Sequence, residues 1–208
     1  MGGEYERLGI EPTPAPRERL GAALPWEEET RPRRQRSGPE VTYSERGRDV
    51  GKHLIDVHDG LRAELEELRS LLDQVRSGER TAGEARSELS RMTLRQNDWT
   101  LGAFCSRYCL LLTRHHTLED VSIFPHLRGA EPGLGEVIDR LTEEHVAIGD
   151  AVAAVDRALV AHINRPEDFA PLQATIDALT DALLSHLSYE EVELVEPLAR
   201  HGFMPGQV

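Results

Sequence analysis

Four histidines of this sequence stand where helical apolar stripes would otherwise carry aliphatic side chains. They are His58, His115, His145 and His186, and each interrupts a different stripe of apolar residues spaced three and four apart. A buried imidazole needs a hydrogen-bond or metal partner. One such histidine would be an ordinary core residue, but one in every stripe predicts a common site.

Two glutamates repeat one spacing relative to two of these histidines. Glu119 follows His115 by four residues, and Glu190 follows His186 by four. Residues four apart on a helix differ by about 40° in direction and by ~6 Å along the axis, so each pair converges on one point. Because an isolated buried carboxylate is very costly, these glutamates need a charged partner or a metal.

Four imidazoles and two carboxylates form a donor set that suits two first-row transition ions. Carboxylates can bridge two ions, and nitrogen donors favour iron or zinc over magnesium. The competing interpretation is a buried hydrogen-bond network of histidine and glutamate without metal.

The stripes that carry these residues predict four long helices. They run from Leu54 to Leu72, from Leu101 to Ile123, from Ile138 to Leu159 and from Leu172 to Leu194. No run shows the sustained alternation and β-branched enrichment of a strand. We therefore predict an all-α fold, an up-down-up-down four-helix bundle over residues 49–205.

Residues 1–48 differ in composition from the rest of the chain. They hold six of the 12 prolines and show no apolar periodicity. Such a segment buries too little apolar surface to offset the entropy lost on ordering, so we predict a disordered N-terminal arm. Within it, Leu24-Pro25-Trp26 is a candidate peptide for docking on a protein partner.

Four sequence blocks around the histidines resemble the helical signatures of the hemerythrin-like, HHE cation-binding family. The blocks are LIDVHDGLRAEL, HHTLEDVSIFPHL, LTEEHVAIGDAV and LLSHLSYEEVELVEPL, and they follow the family's order. The resemblance implies a four-helix bundle that holds a non-haem centre of two iron ions. It implies as ligands His58, His115, Glu119, His145, His186 and Glu190, with the two glutamates as bridging carboxylates.

The sequence departs from the oxygen-carrying branch of that family at two positions. Oxygen carriers have a histidine four residues after the third-helix ligand, where this chain has Gly149, and an aspartate where it has Glu191. The pattern H…HxxxE…H…HxxxE is similar to a bacterial subgroup linked to peroxide and nitric oxide chemistry. A lost ligand would leave an iron more open, which suits catalysis better than oxygen carriage.

Five further residues are candidates for an additional ligand or for support of the ligands. They are His116, Tyr108, Tyr189, Glu144 and Glu191. His116 lies about 100° around the helix from His115 and is either a ligand or a residue beside the site. Tyr108 either lines the access path or is an ordinary core residue. The other three directly adjoin a predicted ligand in sequence.

Charge and composition narrow the partners and the compartment. The chain has 24 basic and 37 acidic residues and a net charge of −13, which argues against nucleic acid as a partner. No apolar stretch is long enough to span a membrane. The two cysteines, Cys105 and Cys109, make no disulfide framework, so we expect a cytoplasmic protein.

Three functions compete at this point. The leading one is a di-iron protein that binds or turns over dioxygen, hydrogen peroxide or nitric oxide, in defence against oxidative or nitrosative stress. The second is a non-enzymatic iron-binding protein or iron or oxygen sensor, whose arm reports site occupancy to a protein partner. The third is a structural bundle without metal.

Overall fold

The computed structural model describes residues 2–36, 38, 41–77, 79, 112–165 and 168–203. These residues form helices and no strand, which confirms the predicted all-α class. Helix α1 spans Gly2–Leu8, α2 spans Glu45–Arg76, α4 spans Gly135–Asn164 and α5 spans Ala170–His201. Helix α3 is described over residues 112–130 and contains a π-helical turn at Glu119–Ile123 before its last segment, Phe124–Ala130. The helices form the predicted bundle.

The ends of the long helices lie close to turn-forming residues of the sequence. The predicted stop near Ser77 follows directly on the end of α2 at Arg76. Helix α5 has a proline near its start, where the fixed backbone angle favours a helix. It ends before Gly202, whose φ of 68° is a left-handed value that glycine adopts without strain.

The apolar core is divided into two clusters along the helices. Cluster A includes Leu54, Phe124, Leu127, Leu141 and Leu194, and cluster B includes Leu61, Leu112, Ile148, Leu183 and Leu187. On α2, His58 lies between a cluster A residue and a cluster B residue, and on α4 the same is true of His145. The polar residues predicted to do chemistry therefore form a layer with aliphatic packing above and below.

Helix α5 is buried on nearly all sides. Of its 32 residues, 21 are buried, although many of these are polar. It packs against α2 and α4, and the described residues of the N-terminal segment (2–36, 38 and 41–44) contact another of its faces. No helix of the described residues has both the length and the apolar composition that crossing a membrane requires.

The N-terminal segment differs from the disordered arm that its composition predicts. The backbone N–H groups of Leu20 and Gly21 donate hydrogen bonds to Asp181 on α5, at 2.9 and 2.7 Å. Farther along, Arg33 forms an ion pair of 3.0 Å with Glu193, and the backbone N–H of Arg34 donates to the same carboxylate. The segment thus lies on the bundle through a series of polar contacts.

Composition misleads here because the segment docks through polar contacts as well as apolar ones. Six apolar side chains of the segment also join the clusters. Leu8 and Tyr43 are buried in cluster A, Tyr5, Ile10 and Val41 pack partly against it, and Trp26 packs partly against cluster B. Hydropathy counts only apolar burial, and it cannot register carboxylates on another helix that accept hydrogen bonds from this segment. The structure places Trp26 on the protein's own bundle, so it is not a free peptide.

Two glycines permit the close crossing of α2 and α5. A Cβ atom on Gly47 would overlap the backbone oxygen of Ala199, and one on Gly51 would lie 2.8 Å from the backbone oxygen of Val195. By contrast, a Cβ atom on Gly60, also in α2, would meet no atom within 4 Å. The spacing of four residues puts the two crowded glycines on one face of the helix.

We expect Gly47→Ala and Gly60→Ala to change stability in opposite directions. The first forces the helices apart and should lower the free energy of unfolding by about 1–3 kcal/mol. The second replaces glycine at an exposed position of a helix and should raise the free energy of unfolding by about 0.5–1 kcal/mol. Urea unfolding followed by circular dichroism measures both. Equal stability of the two variants would contradict the close crossing.

Candidate metal centre

The layer between clusters A and B brings together residues from four helices. Helix α2 provides His58, α3 provides His115, His116 and Glu119, α4 provides His145, and α5 provides His186 and Glu190. His58, Glu119, His186 and Glu190 have no exposed surface. The structure thus brings together all six residues of the predicted donor set, and His116 with them.

These residues fall into two groups that could each hold a metal ion. The first contains His58, His115, Glu119 and Glu190, and the second contains His116, His145 and His186. Within each group, one potential ligand atom from every residue lies within 4.8 Å of the others. Residues 115 and 116 serve different groups because successive helical residues point about 100° apart, to either side of the inward direction.

Each glutamate lies between the two groups. The carboxylate of Glu119 is 3.2 Å from Nε2 of His115 and 3.6 Å from Nε2 of His145. The carboxylate of Glu190 is 3.6 Å from Nε2 of His58 and 3.5 Å from Nε2 of His186. Each carboxylate therefore lies near one histidine of the first group and one of the second, which is the arrangement that a bridging ligand requires.

The fit of this layer to metal rests on buried polar atoms that have no hydrogen-bond partner. They are both carboxylate oxygens of Glu119 and of Glu190, and Nε2 of His116, His145 and His186. A buried polar group without a hydrogen-bond partner lowers the free energy of unfolding by roughly 1–3 kcal/mol when it is neutral. The cost is larger when the group is charged, as an ionised carboxylate is. These atoms without hydrogen-bond partners lie in the same layer, so metal coordination would satisfy them together.

Burial also sets the protonation states of the layer. Burial, reinforced by the neighbouring Glu190, raises the pKa of Glu119 well above 4.5. Burial together with the neighbouring imidazoles lowers the pKa of His115, His116 and His186 below 6.5. These three histidines are therefore neutral at pH 7, which is the form that binds metal ions.

Three carboxylates outside the layer each lie within hydrogen-bond distance of Nδ1 of one histidine, on the side of the ring that faces away from the layer. Glu191 lies 2.9 Å from Nδ1 of His58, and Glu144 lies 3.1 Å from Nδ1 of His186. When each Nδ1–H donates to its carboxylate, the Nε2 lone pair of the ring is free to face the centre. Glu144 and Glu191, which the sequence left as ligands or supports, lie in the supporting position.

The third supporting carboxylate, Asp120, was not among the sequence candidates. It lies 2.9 Å from Nδ1 of His145. Its sequence signal is the one that pointed to Glu144 and Glu191, namely an acidic residue directly beside a predicted ligand. Each such residue supports the histidine of another helix: Asp120 on α3 supports α4, Glu144 on α4 supports α5, and Glu191 on α5 supports α2.

A π-helical turn begins at Glu119. The backbone N–H of Phe124 donates to the carbonyl of Glu119, five residues earlier, where an α-helix would pair residues four apart. Turns of this kind are rare and often occur at functional sites. The predicted convergence of His115 and Glu119 is nevertheless present, because the π turn starts only after their shared α-helical turn.

Three other candidates have different outcomes. Tyr189 donates to the carbonyl of Pro32 at 2.8 Å and faces the N-terminal segment instead of the metal layer. Tyr108 lies outside the described residues. Gly149 is exposed with open space around it, so the position four residues after His145 does not face the layer. Gly149 supplies no ligand atom, as the sequence predicted. His116 adds a nitrogen to the group that contains His145 and His186.

A family model described as the hemerythrin HHE cation binding domain matches residues 49–198. This range contains all seven residues of the two groups and the three supporting carboxylates. No curated protein and no solved structure matches the chain.

Replacing both layer glutamates should stabilise the metal-free protein. The raised pKa of Glu119 means that its ionised form is less stable in the folded protein than in the unfolded chain, so this residue costs stability as pH rises above 4.5. Glutamine does not titrate. We expect metal-free Glu119→Gln/Glu190→Gln to unfold at higher urea concentration than metal-free wild type at pH 7, with a difference that widens from pH 5 to pH 8.

The exposed Glu67→Gln serves as the control for this experiment and should leave the urea midpoint unchanged. A double variant that is less stable than the wild type would show that the two carboxylates are not buried together without metal.

Proposed function

The chain belongs to the hemerythrin HHE cation-binding family, and we propose that it binds two iron ions and reacts with small oxidants: dioxygen, hydrogen peroxide or nitric oxide. Cation binding follows from the family. The number of ions, the identity of the metal and the oxidant are the proposal.

One observation carries the proposal of two ions. Two groups of histidines share two buried glutamates whose oxygens have no hydrogen-bond partner. A single ion would leave one group of imidazoles without a metal ion to coordinate and one side of each carboxylate unsatisfied. Two ions would satisfy both groups at once, with the carboxylates between them.

The donor atoms favour a first-row transition ion such as iron or zinc, and we propose iron because the chain belongs to the hemerythrin HHE family. The layer offers five imidazoles and two carboxylates and no described thiolate. Imidazole nitrogens, which outnumber the carboxylates here, suit first-row transition ions, whereas calcium and magnesium prefer oxygen ligands. Bound iron would supply the electron-transfer capacity that reaction with dioxygen, peroxide or nitric oxide needs.

The assignment of residues follows the two groups. His58 and His115 would hold one ion, and His116, His145 and His186 would hold the other, with Glu119 and Glu190 shared. The first ion would have fewer protein nitrogens, so we place the open position for a small ligand there.

The packing around the layer limits what can reach it. Leu61, Leu112, Ile148 and Leu183 are all nearly inaccessible to solvent and belong to cluster B. Close-packed aliphatic walls exclude bulk water and bulky substrates. Small uncharged oxidants are the molecules that such surroundings admit, which supports this substrate class over larger organic ones.

The compartment we propose is the cytoplasm.

The alternative function, a non-enzymatic iron or oxygen sensor, is favoured by a specific feature. The N-terminal segment contacts two of the carboxylates that hold histidines of the layer, Glu144 and Glu191. A change at the metal layer could therefore alter a surface segment that a protein partner reads.

Removing one histidine from each group should abolish metal binding. We expect about two iron ions per chain by elemental analysis of protein from iron-replete growth. The double variant His115→Ala/His186→Ala should retain almost none. His53→Ala, at an exposed histidine of α2, is the matched control and should keep the wild-type content. Wild-type protein without metal would contradict the proposal.

Turnover separates the enzyme from the sensor. Iron-loaded protein should change its optical spectrum on addition of dioxygen, hydrogen peroxide or nitric oxide, and an enzyme should go on consuming the oxidant when a reductant is supplied. His53→Ala should behave as wild type. A spectral change that stops after one equivalent favours the sensor, and no spectral change with any of the three would contradict the oxidant proposal.

A further inference from the structure

The N-terminal segment contacts the metal layer through two of its three supporting carboxylates. Arg31 contacts Glu144, and the backbone of Thr13 contacts Glu191. These carboxylates hold His186 and His58, one histidine from each group. A segment that composition predicts to be disordered therefore lies one side chain away from the centre at two places.

The Arg31 contact is a fork of two hydrogen bonds. Nε and Nη2 of Arg31 donate to the two oxygens of Glu144 at 2.8 and 2.9 Å. The side chains are 5% and 1% exposed, so the pair is shielded from water. Paired, planar contacts of this kind fix the orientation of a carboxylate as well as its charge. The oxygen that accepts from Nη2 is also the one 3.1 Å from Nδ1 of His186.

Arg31 is itself held in place by aromatic rings. Its guanidinium carbon lies 4.6 Å from the centre of the Tyr189 ring and 5.3 Å from that of Trp26. Attraction between a cation and the faces of two rings is strongest where water is excluded. This contact accounts for Tyr189, which adjoins Glu190 in sequence but faces away from the metal layer.

The second contact uses the backbone of the segment. The N–H of Thr13 donates to one oxygen of Glu191 at 2.7 Å. The other oxygen lies 2.9 Å from Nδ1 of His58 and accepts a hydrogen bond of 2.7 Å from Arg62. Glu191 thus joins the backbone of the N-terminal segment to His58 on α2.

We propose that the N-terminal segment positions the metal centre: Arg31 acts through Glu144 on His186, and Thr13 acts through Glu191 on His58. Docking of the segment and occupation of the site are then linked, and each strengthens the other by the same factor. This inference rests on the proposed metal binding.

The test compares variants of the full chain by their affinity for Co²⁺, measured by competition with a chromophoric chelator at pH 7. Substitution of a residue that orients a metal ligand commonly weakens binding 10–100-fold, and we expect Arg31→Gln to fall in that range. The d–d spectrum of bound Co²⁺ should also change, since Glu144 is then held by Arg140 at one oxygen and orients His186 less firmly. Arg31→Lys keeps the charge without the fork and should restore part of the affinity.

Arg33→Gln is the matched control for Arg31→Gln. Arg33 also joins the segment to α5, through an ion pair of 3.0 Å with Glu193 and, like Arg31, through the ring of Tyr189, whose centre lies 5.6 Å from its guanidinium carbon. Glu193 does not hold a histidine of the layer. Its Co²⁺ affinity and spectrum should equal those of the wild type. A loss that is the same in both variants would overturn the positioning role and assign it to general loosening of the segment.

Thr13→Pro provides an independent test that does not depend on the folding of Arg31→Gln. Proline removes the N–H that donates to Glu191, and residue 13 already lies between Pro12 and Pro14, which favours the extended backbone that proline adopts. We expect this variant to bind Co²⁺ several-fold more weakly, with helicity unchanged by circular dichroism.

The reverse effect is measured by hydrogen exchange. Co²⁺ should slow the exchange of the Thr13 amide in the wild type, and should slow it less in Arg31→Gln. If the wild type binds no Co²⁺, the proposed metal centre itself fails. If it binds and both Arg31→Gln and Thr13→Pro match Arg33→Gln, the metal centre stands and the positioning role is overturned.

Discussion

The burial of two carboxylates among five imidazoles is the constraint on which the rest of the structure depends. Glu119 and Glu190 have no exposed surface, and their oxygens have no hydrogen-bond partner. Without a cation, such groups oppose folding by desolvation and mutual repulsion. The two apolar clusters on either side of the layer provide the burial energy that keeps this polar layer inside the bundle. The fold and the proposed metal binding are thus parts of one free-energy balance.

The supporting carboxylates carry this constraint outward to the surface. Each one adjoins a layer residue of its own helix and holds a histidine of another, so rotation of one helix would disturb a histidine of the layer on another. Arg31 and Thr13 extend two of these connections into the N-terminal segment. Buried ion pairs contribute little net stability because desolvation offsets their attraction. Their main effect here is on geometry, since they determine which way each ring faces.

Much of the bundle and its donor set could be predicted from the sequence. The period of the apolar stripes places His58, His145 and the two glutamates on inward faces, because local helical geometry determines those directions. Contacts between helices are not local, and the partner of Asp120 depends on which helix lies beside α3. The docking of the N-terminal segment was missed for a related reason: its partners, such as Asp181, lie on a helix whose other side is already buried. Hydropathy gives no signal for a polar interface of this kind.

The most direct test of the central claim is anomalous diffraction from crystals of the iron-loaded protein, recorded on both sides of the iron absorption edge. The account predicts two iron peaks about 3.5–4 Å apart, one beside His58 and His115 and one beside His116, His145 and His186, with Glu119 and Glu190 in contact with both. A single peak, or two peaks that do not share the glutamates, would contradict it.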